Sequence, residues 1–377
     1  MLPKSRMIAA LEHTEPDRVP IGELAVDWDT TDRALGVETL YRGGWRELTA
    51  LWEGRRDEIV NNCVRDLTGL VQKFEWDFVV VPTVHPKRDH YPKPEMLGEY
   101  CWRDAKGRVC QFSLDLGGHA MVTEYPPMTI DDLPDPDMPA HLENSEFEAI
   151  ERVVKQLGNT HFVVARVPDG TLPWRDTVGM ADFLERMLIE PEFVRKAIAG
   201  ATKRTLAAIE AAAGLKVDGV VITIDYCDNR GPLMGPRLFR EFVLAHLAEC
   251  VKTAHNHGIY FLKHSDGNHW SILDDFVAAG VDGWQGIQPR IGMDLRLLKE
   301  KYAGKLALIG GVNCDTLTIG TTKEVEEEVR YAIQHAAPGG GFVLCSGNTL
   351  MHGTKFENYQ AMVAATRRYG RYPIGAW

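Results

Sequence analysis

From residue 160 onward, short apolar runs alternate with longer amphipathic ones. The short runs are Phe162–Ala165, Gly219–Ile224, Ile259–Lys263, Gly283–Ile287, Leu306–Gly310 and Gly341–Cys345, with an earlier one at Phe78–Val81. They are mostly apolar on both faces, the pattern of a buried parallel strand. Between them, Met180–Met187, Glu192–Ala212, Pro236–Asn256, His269–Ala279 and Lys323–Ala336 read as helices. Strands alternating with helices predict a parallel α/β sheet. Seven or so such units favour a closed (β/α)8 TIM barrel over an open doubly wound sheet. No GxGxxG opens a helix after a strand. The Gly310-Gly311 and Gly339–Gly341 runs have the wrong spacing for a dinucleotide fold.

The N-terminal third is less regular. Residues 3–14 predict a short helix stopped at Glu15-Pro16, because the residue before proline avoids the helical region. A second helical stretch spans 45–75, so residues 1–76 read as a helical extension. Residues 82–140 are rich in Pro, Gly and Asp, with hairpin-like pieces at Tyr100–Trp102 and Val109–Phe112 around a turn at Asp104–Gly107. This segment is expected to be an insertion at the barrel mouth; a surface loop without a role is the alternative. Length alone would suggest two domains for 377 residues. A barrel of about 250 residues with extensions fits residues 1–377 as a single domain.

Charge and cysteine content narrow the class of partner. The net charge of −11 argues against a nucleic-acid surface, which needs clustered Lys and Arg, and against an anionic membrane. The seven cysteines are odd in number, widely spaced and without a CxxC, the usage of a reduced compartment. The first residues hold no apolar run of signal-peptide length, and no stretch approaches the ~20 apolar residues of a membrane helix. The expectation is a cytoplasmic protein, a homodimer by default.

In a (β/α)8 barrel the active site sits at the C-terminal ends of the strands. Polar residues gather there in this chain: Arg166 and Asp169, Asp225 and Asp228, His264 and Asp266, Gln288, Asn313, Asn348 and His352. His264-x-Asp266 is the sharpest feature. In an extended segment both side chains point the same way. They suit zinc ligation or a general acid–base pair; the plain alternative is a helix cap at Asp266 and a carbonyl-bound His264. Asp225 ends a strand and is a candidate carboxylate, whereas Asp228-Asn229-Arg230-Gly231 is turn chemistry. Arg166 is a candidate carboxylate anchor or a partner for Asp169. Cys345 reads as a small hydrophobe or a ligand. His85 follows an apolar strand and stays undecided. Trp28, Trp174, Tyr226 and Trp284 are candidate pocket aromatics or core.

Several segments resemble the uroporphyrinogen decarboxylase superfamily: MIAALEHTEPDRVPIGE, DYCDNRGPLMGPRLFREFVLAHLAECV, LKHSDGNHWSILDDFVAAGVDGWQGIQP, LALIGGVNCDTLTIGTTKEVEEEV and PGGGFVLCSGNTLMHGTKFENYQAMVAATRRYGRYP. The resemblance is almost continuous over 160–373 and weak over 85–140. It implies a (β/α)8 barrel and one of two chemistries, metal-free decarboxylation or zinc-dependent methyl transfer involving a corrinoid protein. The decarboxylases grip propionates with an Arg-rich N-terminal segment and carry an Asp after an early strand. Here Pro20–Trp28 is acidic without Arg, and the early strand ends in Thr83-Val84-His85. The thiol-methylating members hold zinc on His-x-Cys and a later Cys. His264 matches that His, Asp266 replaces the first Cys, and Asn348 stands near the second. Nitrogen and oxygen ligands make zinc a harder Lewis acid, suited to an ether oxygen.

The resemblance therefore implies a corrinoid-dependent methyltransferase of the O-demethylase type. Its expected substrate is a small O-methylated compound such as an aryl methyl ether, and its partner a corrinoid protein carrying cobalamin. His264 and Asp266 are expected to hold zinc, with Glu23, Asp225 or Cys345 as further ligands. Trp28, His85, Arg166, Tyr226 and Asn348 are expected to contact substrate. The alternatives are a metal-free decarboxylase of a small acid, with Asp225 or Asp266 as proton donor, and a non-catalytic ligand-binding barrel.

Overall fold

A computed structural model describes residues 1–114 and 118–375. The first sheet strand, β1 (Phe78–Pro82), is followed by an antiparallel sheet of β2 (Glu95–Gly98), β3 (Cys101–Arg103), β4 (Val109–Ser113) and β5 (His119–Glu124). Then come β6 (Phe162–Arg166), β7 (Gly219–Ile222), β8 (Tyr260–His264), β9 (Gly283–Ile287), β10 (Ala307–Val312) and β11 (Phe342–Ser346). The order β1-β6-β7-β8-β9-β10-β11 is sequential and every pairing is parallel. The expected TIM-barrel class is the observed one.

All seven sequence-read strands are present, but the eighth stave was not anticipated. It comes from the segment read as a helical extension. Ile21 bridges Leu344 in parallel. The Leu344 N–H donates to Pro20 O at 2.9 Å, and the Asp77 N–H to Ile21 O at 2.7 Å. The backbone around Ile21 therefore satisfies both open edges, which would otherwise expose unpaired groups.

Alternation along the strands sorts the side chains. Phe78, Val80, Phe162, Val164, Val221, Leu262, Ala307, Ile309, Val343 and Cys345 meet inside the barrel. Met7, Ala10 and Leu11 of helix Pro3–Leu11 plug its lower end. Val163, Val220, Ile222, Phe261, Trp284 and Leu344 face the helical layer. Each fully buried aliphatic or aromatic side chain contributes about 1.5–3 kcal/mol.

The remaining differences have local causes. The stretch at 45–75 is two helices, Trp45–Trp52 and Arg56–Phe74, separated at Gly54, where φ is +81°. The stretch at 236–256 contains a π turn over Phe239–Val243. The helix expected at His269 starts at Leu273, because the His269 ring is used by the preceding loop. Helices Glu148–Leu157, Leu295–Tyr302 and Phe356–Tyr369 were not read from the sequence. The inserted sheet packs Trp102, Cys110 and Phe112 on Trp45, Leu48 and Trp52. Among the described residues, no helix is long and apolar enough to cross a membrane.

Candidate metal centre at the barrel mouth

His264 is the last residue of β8, and Leu262 two positions earlier faces the barrel interior. Strand alternation therefore turns His264 inward at the mouth. Its Nε2 lies 3.6 Å from Asp225 Oδ1 and 3.9 Å from Asp266 Oδ1. Among the described residues these three form the group able to hold a metal, with ligand atoms within 4.8 Å of one another. Asp266 Oδ1 is buried without a hydrogen-bond partner. A buried carboxylate oxygen left bare is costly, and a cation there would satisfy it. One nitrogen and two carboxylates leave an open position, the pattern of a catalytic zinc site.

The imidazole tautomer follows from its neighbour. Gln285 pairs with His264 across the β8–β9 ladder. Its Nε2 donates to the carbonyls of Ser346 and Asn348, both at 3.1 Å. Its Oε1 is thereby left as acceptor, and it meets His264 Nδ1. The ring proton sits on Nδ1, and the Nε2 lone pair faces the carboxylates. Histidine ligands are commonly oriented in this way. Asn348 donates its amide to Asp266 Oδ2.

The surrounding loop is rigidly built. His269 is buried, and burial pushes its pKa down to about 4, so the ring is neutral at pH 7. Its Nδ1–H donates to Gly267 O at 2.9 Å, and its Nε2 accepts from Ser265 Oγ at 2.8 Å. Ser265 Oγ in turn accepts the Tyr226 N–H at 2.9 Å. A serine–histidine bond is also how nucleophilic catalysis begins, but both side chains are fully buried here. The pair is a loop lock. Gly286 has φ +111°, and a Cβ there would lie 2.4 Å from Ser265 O, so only glycine lets β9 approach this loop.

Below the loop, Lys263 points away from the barrel axis and is fully buried. It pairs with Asp169 at 2.8 Å and donates to Ile224 O at 2.7 Å. Asp169 also accepts the Ile224 N–H at 2.8 Å. Both backbone groups of Ile224 are captured, which ends β7 at Ile222, earlier than the sequence suggests, and aims the next residue, Asp225.

The other expected site residues fall as follows. Glu23 and Cys345 do not join the metal group. The Glu23 carboxyl is buried, pushed up to about 8 by that burial, and accepts from Ser346 N–H and O–H. The Cys345 thiol donates to Ser346 O at 3.0 Å from within the core, and burial pushes its pKa well up. Tyr226 is fully buried, bonded to Thr171, with Lys263 above its ring, and so lies behind the mouth. Trp284 is equally buried. Trp28 stacks on His352 at 4.4 Å. Arg166 does not pair with Asp169, which Lys263 holds. His85 and Arg166 line a neighbouring cavity. Asp266 caps no helix; Asp228 is a turn residue that accepts from Arg230 and Gly231.

Burial, with the charge of Asp225 adding to it and His264 opposing it, pushes Asp266 up to about 6. A raised carboxylate keeps its proton below that pH, and a proton competes with a metal for the same oxygen. Zinc affinity is therefore expected to rise about tenfold per pH unit below 6 and to level off above it. Chelator competition between pH 5 and 7.5 measures this; a flat profile would remove Asp266 from the ligand set.

A parallel barrel with converging ligands at its C-terminal mouth is the architecture of a barrel enzyme. The sequence profile of the uroporphyrinogen decarboxylase (URO-D) family matches residues 110–369, and the chain belongs to that family. No curated protein matches the sequence. Among solved structures, a methyltransferase from Methanosarcina mazei aligns with a TM-score of 0.72 over 98% of this chain and 99% of that one, at 20% identity. This is a likeness of fold. A sugar phosphate isomerase/epimerase from Parabacteroides distasonis aligns over 96% and 98% of the two chains at 11% identity, with a TM-score of 0.39.

Proposed function

We propose that the chain is a zinc-dependent methyltransferase that moves a methyl group from a small O-methylated substrate to a corrinoid carried by a separate protein. The observation that carries this reading is the His264 Nε2 lone pair facing two carboxylates at the barrel mouth. Zinc held by His264, Asp225 and Asp266 would supply Lewis acidity toward an ether oxygen. The chain's own groups prepare for it. Gln285 fixes the imidazole, Asn348 steadies Asp266, and Lys263 with Asp169 aims Asp225. Asp225 is the most exposed of the three, with 41% of its side chain accessible, so the group is open on the side a substrate or a docking partner would approach. The whole-length likeness of fold to a protein named a methyltransferase is in keeping with this reading.

Zinc analysis of the purified protein tests it. About one equivalent per chain is expected, together with methylation of an added corrinoid protein that His264→Ala abolishes. Substoichiometric zinc, with His264→Ala as active as the parent, would sink the proposal.

One observation favours a second reading. A carboxyl with a pKa of about 6 suits general-acid work near neutral pH, so Asp266 could protonate the carbon left by decarboxylation of a small acid. Carbon dioxide release without any corrinoid protein would select this reading over the first.

A further inference from the structure

A cavity of about 440 Å³ lies over the C-terminal ends of β1 and β6. Leu48, Ile59, Val60 and Val84 give it apolar walls, and the inserted sheet closes one side through His119 and Ala120. Three arginines reach it. Arg42 is paired with Asp27 at 2.7 Å. Arg56 is paired with Glu148 and with Asp57, and also donates to the carbonyls of His85 and Ser145. Arg166 has no such partner: among the described residues, only longer-range charges act on its guanidinium.

The strand pattern fixes where Arg166 points. Phe162 and Val164 face the barrel interior, so Arg166, two residues on, turns to the mouth, as His264 does after Leu262. β6 and β8 flank β7, and strand spacing sets the two residues about 10 Å apart.

We propose that this cavity binds a small monocarboxylate with an apolar body, and that Arg166 is its bidentate anchor. A partly buried guanidinium that makes no ion pair among the described residues, with Glu47 acting on it only at longer range, is an arrangement that a bound carboxylate completes. The planar fork of arginine matches both oxygens of one carboxylate. Because Arg42 and Arg56 are already neutralised, a ligand with many carboxylates finds one unpaired arginine among the described residues. Glu47 lines the same cavity, and burial pushes it up to about 7 while Arg42 and Arg166 oppose that shift. It therefore takes up a proton near neutral pH, which lowers its repulsion toward a bound anion. The inference concerns ligand class and stands without the methyl-transfer reading. If that reading holds too, the ligand's carboxylate lies on Arg166 and its reacting group toward His264.

Calorimetry on the full-length, chelator-treated protein separates the two proposals, since zinc and corrinoid play no part in it. Benzoate or phenylacetate is expected to saturate one site, with the matching amides at least about tenfold weaker. Arg166→Met is expected to weaken the acid by about 10- to 100-fold, and Arg166→Lys by less. In crystals, 4-bromobenzoate is expected to show its bromine in this cavity with the carboxylate on Arg166, a readout that needs no variant. Acids and amides binding alike, neither acid binding, Arg166→Met binding the acid as the parent does, or bromobenzoate lodged elsewhere would each overturn the proposal.

Discussion

Replacing Gln285 with leucine is expected to lower zinc affinity by about 10- to 100-fold, although Gln285 is not in the metal group. The parent amide does two jobs at once. Its Oε1 holds the proton on His264 Nδ1, and its Nε2 satisfies the carbonyls of Ser346 and Asn348. Leucine is close in size, so the barrel stays filled, but it accepts and donates nothing. The imidazole then loses the acceptor that fixes its tautomer and ring angle. The Asn348 carbonyl loses its donor, and the buried Ser346 carbonyl keeps only the weak Cys345 thiol, together costing about 1–3 kcal/mol. Asn348, whose carbonyl is one of them, also steadies Asp266, so two of the three ligands are disturbed together. Chelator competition measures the affinity, and a urea melt of the same variant measures the structural part. If zinc binding falls only in step with global stability, the orienting role is wrong. If affinity falls in protein that is still fully folded, it is right.

How far this site was legible in the sequence depends on what each residue's role rests on. His264, Asp266 and Asp225 were legible because they follow apolar strands, and barrel geometry makes strand ends converge. Asn348 stood among the polar strand-end residues, and only the family resemblance set it near the metal ligands. Gln285 was missed because a neutral amide inside an apolar strand looks like filler. Its meaning lies in the β8–β9 register, which pairs it with His264, and register is a long-range property. Lys263 was read as the polar end of a strand, and nothing local announces that Asp169, far back in the chain, is its partner. Glu23 was placed among the ligands through the family resemblance, and Cys345 because it ends an apolar strand. Strand position alone could not show that Ser346 already occupies them. The eighth stave was hidden for a similar reason. Val19-Pro20-Ile21 is too short to show alternation, and its role as a strand comes from the two edges it closes.

Lys263→Met is expected to destabilise the fold by about 3–5 kcal/mol and to weaken zinc binding as well. The lysine is fully buried and its partner Asp169 nearly so, with 6% of its side chain accessible. Methionine fills the stem's volume but leaves the Asp169 carboxylate without its counter-charge. Burial already pushes the Lys263 pKa down, with Asp169 as the main opposing influence, so each charge depends on the other. Asp169→Asn in the same chain removes the stranded charge and should recover much of the loss. Such recovery distinguishes an ion-pair effect from a packing defect, which the second substitution would not relieve. The zinc readout separates support from positioning. Lys263 and Asp169 together hold both backbone groups of Ile224, and Asp225 is the next residue. The double variant should therefore regain stability without regaining full zinc affinity, because methionine no longer holds the Ile224 carbonyl. A double variant that binds zinc like the parent would show that Asp225 is aimed by something else.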